Sequence, residues 1–188
     1  DSIPRSGTLE VHLPPLPAST LESKFMKALN RNVHAGGVTL ATQSFGTASS
    51  PAVVLVMGAT ASMLGWPDEL CLGLAAHDHF VVRYDHRDTG RSTTYPPGAP
   101  PYAVEDMVAD LLTVMDAYGI EHAHLVGMSL GGLIAQIAAR TTPDRVTGLT
   151  LIGSEPLGWD GETLPHIAPE FLEHFATLAN LDWSKPQL

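Results

Sequence analysis

Ala123-His124-Leu125-Val126-Gly127-Met128-Ser129-Leu130-Gly131-Gly132-Leu133-Ile134-Ala135-Gln136-Ile137-Ala138-Ala139 reads as an apolar strand, a tight turn and a helix in immediate succession. The turn is Gly127-Met128-Ser129-Leu130-Gly131, a Gly-x-Ser-x-Gly pentapeptide. A turn that joins a buried strand directly to a helix holds its central serine in a strained conformation, with the hydroxyl exposed at the helix N-terminus. The glycines are required because neighbouring backbone segments approach too closely for side chains. Accidental matches to the pentapeptide fall mostly in loops, and this one does not. Ser129 is therefore the first candidate nucleophile.

Working outward, the same alternation continues on both sides. Ala52-Val53-Val54-Leu55-Val56-Met57 is a continuous apolar run, as expected for a strand covered on both faces. Pro67 to Ala76 reads as a helix with Pro67 at its first position, and Phe80 to Tyr84 as the next strand. Val104 to Tyr118 is an amphipathic helix, with Met107, Val108, Leu111, Leu112 and Met115 at helical spacing and Gly119 ending it. Leu149 to Ile152 is a further strand. This βαβαβαβ order predicts an α/β fold, a mostly parallel sheet with helices on both faces. Ligands of such sheets bind at the carboxyl ends of the strands, where Ser129 lies. Ahead of this region, Asn32 to Ala35 and Val38 to Ser44 flank Gly36-Gly37 and predict a hairpin. Ser19-Thr20-Leu21-Glu22 resembles a capping box opening a short helix over Leu21 to Leu29, and residues 1–18 form a Pro-rich lead. After Gly153 the alternation stops, leaving one expected helix from Pro169 to Leu178.

A chain of 188 residues with 44% hydrophobic content is long enough to bury a sizeable core in one domain. A net charge of −10 argues against nucleic acid or an anionic membrane as partner, since both select basic surfaces. No stretch is apolar and long enough to span a bilayer, because Gly127, Gly131 and Gly132 interrupt the best one. Nothing at the N-terminus has the organisation of a secretion signal, so a cytoplasmic location is expected. The chain opens on Asp1 and not Met, which leads us to expect a longer gene product. The single cysteine, Cys71, excludes an internal disulfide and a cysteine metal site.

A serine hydroxyl needs a base to be nucleophilic at neutral pH, and the base needs an orienting acid. In folds with this turn the chain order is Ser, then Asp or Glu, then His. After Ser129 only His166 and His174 occur, one in a loop and one on the expected last helix, and neither follows a strand. Glu155, just past the strand Leu149–Ile152, is the best-placed acid, although a charged residue there also suits an ordinary solvated loop. An oxyanion hole would take the amide of Leu130, after the nucleophile, and one from the loop Met57-Gly58-Ala59, where Gly58 permits the amide of Ala59 to turn inward. Any strand-to-helix turn favours glycine, so Gly58 also has a purely structural reading.

Met57-Gly58-Ala59 with Leu64-Gly65-Trp66-Pro67, the run Arg83-Tyr84-Asp85-His86-Arg87-Asp88-Thr89-Gly90-Arg91-Ser92, and Gly127 to Gly132 together resemble the α/β-hydrolase fold family. Within it they are most similar to polyketide methylesterases of the aclacinomycin methylesterase kind and to cofactor-free haloperoxidase-like serine esterases. The resemblance covers about residues 31–156. It implies Ser129 as nucleophile, with Ala59 and Leu130 as oxyanion donors. Many relatives have His-Gly after the third strand, whereas this chain has Met57-Gly58, as the methylesterase branch does. Arg87, Asp88 and Arg91 are expected to pair and brace a loop near the site, with His86 packed or facing solvent and Trp66 in the core or the pocket wall. The family's later strands, which carry the usual acid and base, have no counterpart here. The expected organisation is thus an N-terminal extension over 1–30, the N-terminal part of a hydrolase core over 31–156, and the start of a cap over 157–188. The last core strand would leave an open sheet edge and a tendency to aggregate or pair. The implied function is hydrolysis of a small hydrophobic carboxylic ester through an acyl-enzyme on Ser129, with the base histidine supplied from outside this chain. No cofactor or metal is implied. The alternatives are perhydrolase or lactonase chemistry at the same serine, or a ligand-binding scaffold without chemistry.

Overall fold

The structure, a computed structural model, describes residues 28–96 and 100–158 and the single positions 170, 173 and 177. Its first two strands, β1 (Leu29–Ala35) and β2 (Val38–Phe45), form the expected hairpin. Gly36 and Gly37 have φ of 52° and 90°, the two positive angles that a tight turn matching the strand twist demands. The strands are longer than the sequence pattern implied. Leu29 opens β1 opposite Ser44 instead of ending a helix, because the pairing with β2 outweighs its helical spacing from Phe25 and Met26. The rest of the expected helix, residues 21–27, lies outside the described residues.

β3 (Ala52–Val56), α1 (Asp68–Ala76), β4 (Phe80–Tyr84), α2 (Val104–Ala117), β5 (Ala123–Met128), α3 (Leu130–Thr141) and β6 (Val146–Ile152) follow. Pro67 caps α1 and does not begin it. The six strands lie in the order β1-β2-β4-β3-β5-β6. β2 pairs antiparallel with both β1 and β4, and β4, β3, β5 and β6 are mutually parallel, as the crossover helices require.

The sheet's two faces are sorted by period-two alternation. Val54, Val56, Val82 and Leu125 point to one side, where they pack with Leu111 and Met115 of α2 and Ile134 and Ala138 of α3. Val53, Leu55 and Val81 point to the other, where Trp66 and Cys71 of the α1 region cover them. Each fully buried Leu or Ile side chain contributes roughly 1.5–3 kcal/mol. Asp106 starts α2 by accepting from the Ala103 amide at 2.8 Å, and Gly119, at φ 67°, ends it. Arg83 ties three elements on the α1 side: it donates to Gln43 of β2 at 2.8 Å, to the Trp66 carbonyl and to Asp68.

β6 pairs with β5 alone among the described residues and exposes Leu149, Leu151 and Ile152. A cavity of about 1000 Å³ opens on the α1 side, lined among others by Trp66, Leu70, Leu74, Val126, Thr150 and Ile152. Among the described residues no helix is long and apolar enough to cross a membrane. Of the expected helix over 169–178, the described positions Glu170, Glu173 and Thr177 are helical.

Candidate active site

Ser129 joins β5 to α3 at φ 48° and ψ −117°, a conformation that costs a residue with a Cβ on the order of 1–3 kcal/mol. The surroundings hold it there. The Ser129 amide donates to the Ile152 carbonyl at 2.9 Å, carrying the β5–β6 ladder one residue into the turn. Its carbonyl accepts from the Gly132 and Leu133 amides at 2.9 and 3.2 Å. The glycines meet the expectation of close approach. A Cβ on Gly127 would lie 2.4 Å from the Gly131 carbonyl oxygen, and one on Gly131 would lie 2.1 Å from the Val56 oxygen. The first turn of α3 is thereby pressed against the end of β3. Ser129 is exposed, and no described residue hydrogen-bonds its Oγ.

The loop after β3 abuts this turn. A Cβ on Gly58 would fall 3.5 Å from the Ser129 Cβ and 3.4 Å from the Met128 oxygen. Ala59 and Thr60 follow at the surface; Thr60 sits at φ 61° and its hydroxyl donates to the Ala59 carbonyl at 2.6 Å. Leu130 begins α3, and a first-turn amide has no acceptor within its own helix. The positive end of the helix dipole adds to the attraction for an anion here. Ser129, Leu130 and the Gly58–Ala59 loop therefore share one surface at the carboxyl ends of β3 and β5. That arrangement has the parts of an acyl-transfer site: an exposed hydroxyl, with backbone from two segments beside it.

The run from Asp85 braces this surface, although not through the pairs expected. Arg87 forks onto Asp110 of α2, at 2.6 and 2.8 Å, and the pair is nearly buried. That contact raises the Arg87 pKa further. Asp88 accepts from the Tyr95 amide and the Tyr102 hydroxyl, both at 2.6 Å. Burial, followed by the bond to Asp88, pushes the Tyr102 phenol up to about 12. Arg91 reaches Asn30 at 3.4 Å. The three residues thus do not pair with one another, because better-aligned partners lie on α2 and in the following loop.

Asp85 is held on all sides. Its carboxylate accepts from the Met63 amide at 2.7 Å and the Arg91 amide at 2.9 Å, and its carbonyl accepts from Ser92 Oγ at 2.7 Å. His86 is 2% exposed and donates from Nε2 to the Met57 carbonyl at 2.7 Å. Burial lowers its pKa against the opposing pull of the Met57 bond and of Asp110 and Asp85, so the ring is neutral at pH 7.

Residues 51–183 match the family described as the α/β hydrolase fold. The chain belongs to the α/β hydrolase fold family. It is 44% identical over 115 residues to rhodomycin D methylesterase DauP of Streptomyces sp. strain C5, a match covering 61% of this chain and 39% of that protein. It is 42% identical over 115 residues to rhodomycin D methylesterase DnrP of Streptomyces peucetius, with the same coverage. Among solved structures it resembles the 2-hydroxy-6-oxo-6-phenylhexa-2,4-dienoate hydrolase of Rhodococcus sp. strain RHA1, with TM-score 0.67 and 28% identity over 82% of this chain and 54% of that one. The matches thus span about 40% of the length of the methylesterases and about half of the solved hydrolase.

In this member of the family no bond links Glu155 to Ser129 among the described residues. Glu155 is exposed; its backbone oxygen accepts from Gln136 at 2.9 Å, and its carboxylate bonds no described residue. His166 and His174 lie outside the described residues. Among the histidines described, His34, His77, His86 and His124 are bonded to Thr39, the Gly73 carbonyl, the Met57 carbonyl and Thr150. Trp66 does line a cavity, but neither Ser129 nor residues 58–60 line it. That cavity lies on the α1 face of the sheet and reaches the amino ends of β3 and β5, so Trp66 walls a different space from the one at the serine. Cys71 is buried in α1, and burial raises its thiol pKa, which leaves it inert. No cluster of three or more metal-ligating side chains occurs among the described residues.

His86 is packed, one of the two placements expected for it, but its bond to the Met57 carbonyl was not foreseen. Parallel pairing of β3 with β4 sets Leu55 opposite Arg83, so continuing the register places Asp85 and His86 beside Met57. The signal was the offset between the two strands, which becomes readable only once they are known to be neighbours.

Proposed function

We propose that this chain carries the nucleophile half of a serine esterase that cleaves a small hydrophobic carboxylic ester. The observation that carries the reading is Ser129, exposed and strained at the N-terminus of α3 with Gly58 packed against it. In this reading Ser129 Oγ attacks the ester carbonyl as a histidine takes its proton. The amides of Ala59 and Leu130 stabilise the oxyanion of the tetrahedral intermediate, the alcohol leaves with the proton from the histidine, and water hydrolyses the acyl-enzyme. The base is proposed as a histidine outside the 188 residues; four of the six described histidines are engaged elsewhere, and none of the six bonds Ser129. The similarity to methylesterases supports an ester as substrate. The division into 1–30, 31–156 and a cap beginning at 157, and the cytoplasmic location, are parts of the same proposal.

The test is turnover of a panel of methyl and aryl esters, lactones and carboxylic acid plus peroxide by the full-length gene product. Ester hydrolysis lost in Ser129→Ala, with an unchanged circular dichroism spectrum, is expected. A preference for lactones or peroxide would reassign the reaction. Ester turnover retained by the variant would remove Ser129 from the mechanism, and no turnover by the wild type would favour a binding scaffold.

A further inference from the structure

We infer that His86 is a positioning residue that sets the oxyanion loop, an inference resting on the serine-esterase reading above. β3 ends at Val56, whose ladder partner is Gly127, so Met57 is the first residue with no strand pairing to fix it. The peptide that begins at the Met57 carbonyl runs into Gly58, packed on Ser129, and then into Ala59, the proposed donor. The His86 ring holds that carbonyl at 2.7 Å. Because a carbonyl only accepts, the bond requires the proton on Nε2, and the burial that keeps the ring neutral leaves a single fixed tautomer.

The ring itself has little freedom. It stacks edge-on against Tyr84 at 5.3 Å, and the residue from which it extends, Asp85, is clamped by the Met63, Arg91 and Ser92 bonds and by its own amide on the Ala41 carbonyl at 2.9 Å. Asp85 and His86 together hold both ends of one loop: His86 grips Met57 at its start, and Asp85 grips the Met63 amide at its far end. The glycine at 58 gives the segment between them a flexibility that an oxyanion donor must not have. A purely structural histidine needs only a partner; this one is bonded to the single carbonyl that governs the direction of the Gly58–Ala59 segment.

The experiment compares wild type, His86→Leu and His86→Gln in the full-length gene product. It measures ester kcat and KM, the rate of Ser129 labelling by a fluorophosphonate, and the unfolding temperature. The expected result for His86→Leu is a fall of about ten- to a hundredfold in kcat and in labelling rate with KM unchanged, somewhat less than deletion of an oxyanion donor costs. His86→Gln, whose amide can still donate, should recover most of both rates. Labelling and kcat equal to wild type in a folded His86→Leu, with only the unfolding temperature lowered, would overturn the inference. Where the leucine variant does not fold, ¹⁵N spectra of the wild-type histidine ring at pH 7 decide: a proton on Nε2 supports it and a proton on Nδ1 overturns it. A wild type that turns over esters without any label on Ser129 would instead overturn the serine-esterase reading, and the inference with it.

Discussion

At the scale of the residue, the site is built from positions where the fold works against local preference. Ser129 adopts φ 48° and ψ −117°, which only glycine occupies without strain. The strain is sustained by the Ile152 bond to its amide and by the close contacts of Gly127 and Gly131. Ser129→Gly should therefore remove strain of on the order of 1–3 kcal/mol, offset by the 0.5–1 kcal/mol that glycine's greater freedom in the unfolded chain costs. The expected net outcome is a protein stabilised by about 1 kcal/mol and without esterase activity, measured by urea unfolding and ester turnover. A destabilised variant would mean that the hydroxyl contributes to folding through contacts beyond those of the described residues. The serine and its glycines were legible in the sequence because each is forced by a local requirement. Glu155 was not: its place after a strand is clear from the pattern, but whether its carboxylate turns toward Ser129 depends on the path of the chain beyond it.

Between elements, the parallel pairing of β4, β3, β5 and β6 was readable from apolar runs separated by helical periodicity, whereas their order in the sheet was not. The misreading at Leu29 shows the limit. Helical spacing of apolar residues is a local signal, and β1 forms because β2 supplies partners seven residues long, from Leu29 with Ser44 to Ala35 with Val38. The Arg87–Asp110 pair was hidden for the same reason. The two residues are far apart in sequence and meet only because α2 crosses beside the loop after β4. Asp110→Ala would leave the Arg87 guanidinium without its partner in a nearly dry setting, at a cost of about 3 kcal/mol. Urea unfolding of both single variants and the double variant checks this. The double variant should be more stable than the sum of the two losses implies, and strict additivity would mean that the pair does not couple.

For the whole molecule, the consequential feature is the open side of the sheet. β6 has one described strand neighbour and exposes Leu149, Leu151 and Ile152 by 37%, 42% and 40%. Unpaired edges and apolar surface of this kind recruit other chains. Residues 1–188 expressed alone should associate with rising concentration in analytical ultracentrifugation, and Leu151→Lys should reduce that association by placing a charge on the edge. Association unaffected by the lysine would locate the contact elsewhere.

Mass spectrometry of the full-length gene product after reaction with a fluorophosphonate tests Ser129 as the nucleophile most directly. The predicted result is one adduct per chain, mapped to the peptide containing Ser129 and absent from Ser129→Ala. Efficient ester turnover with no adduct, or with the adduct on another residue, would contradict it.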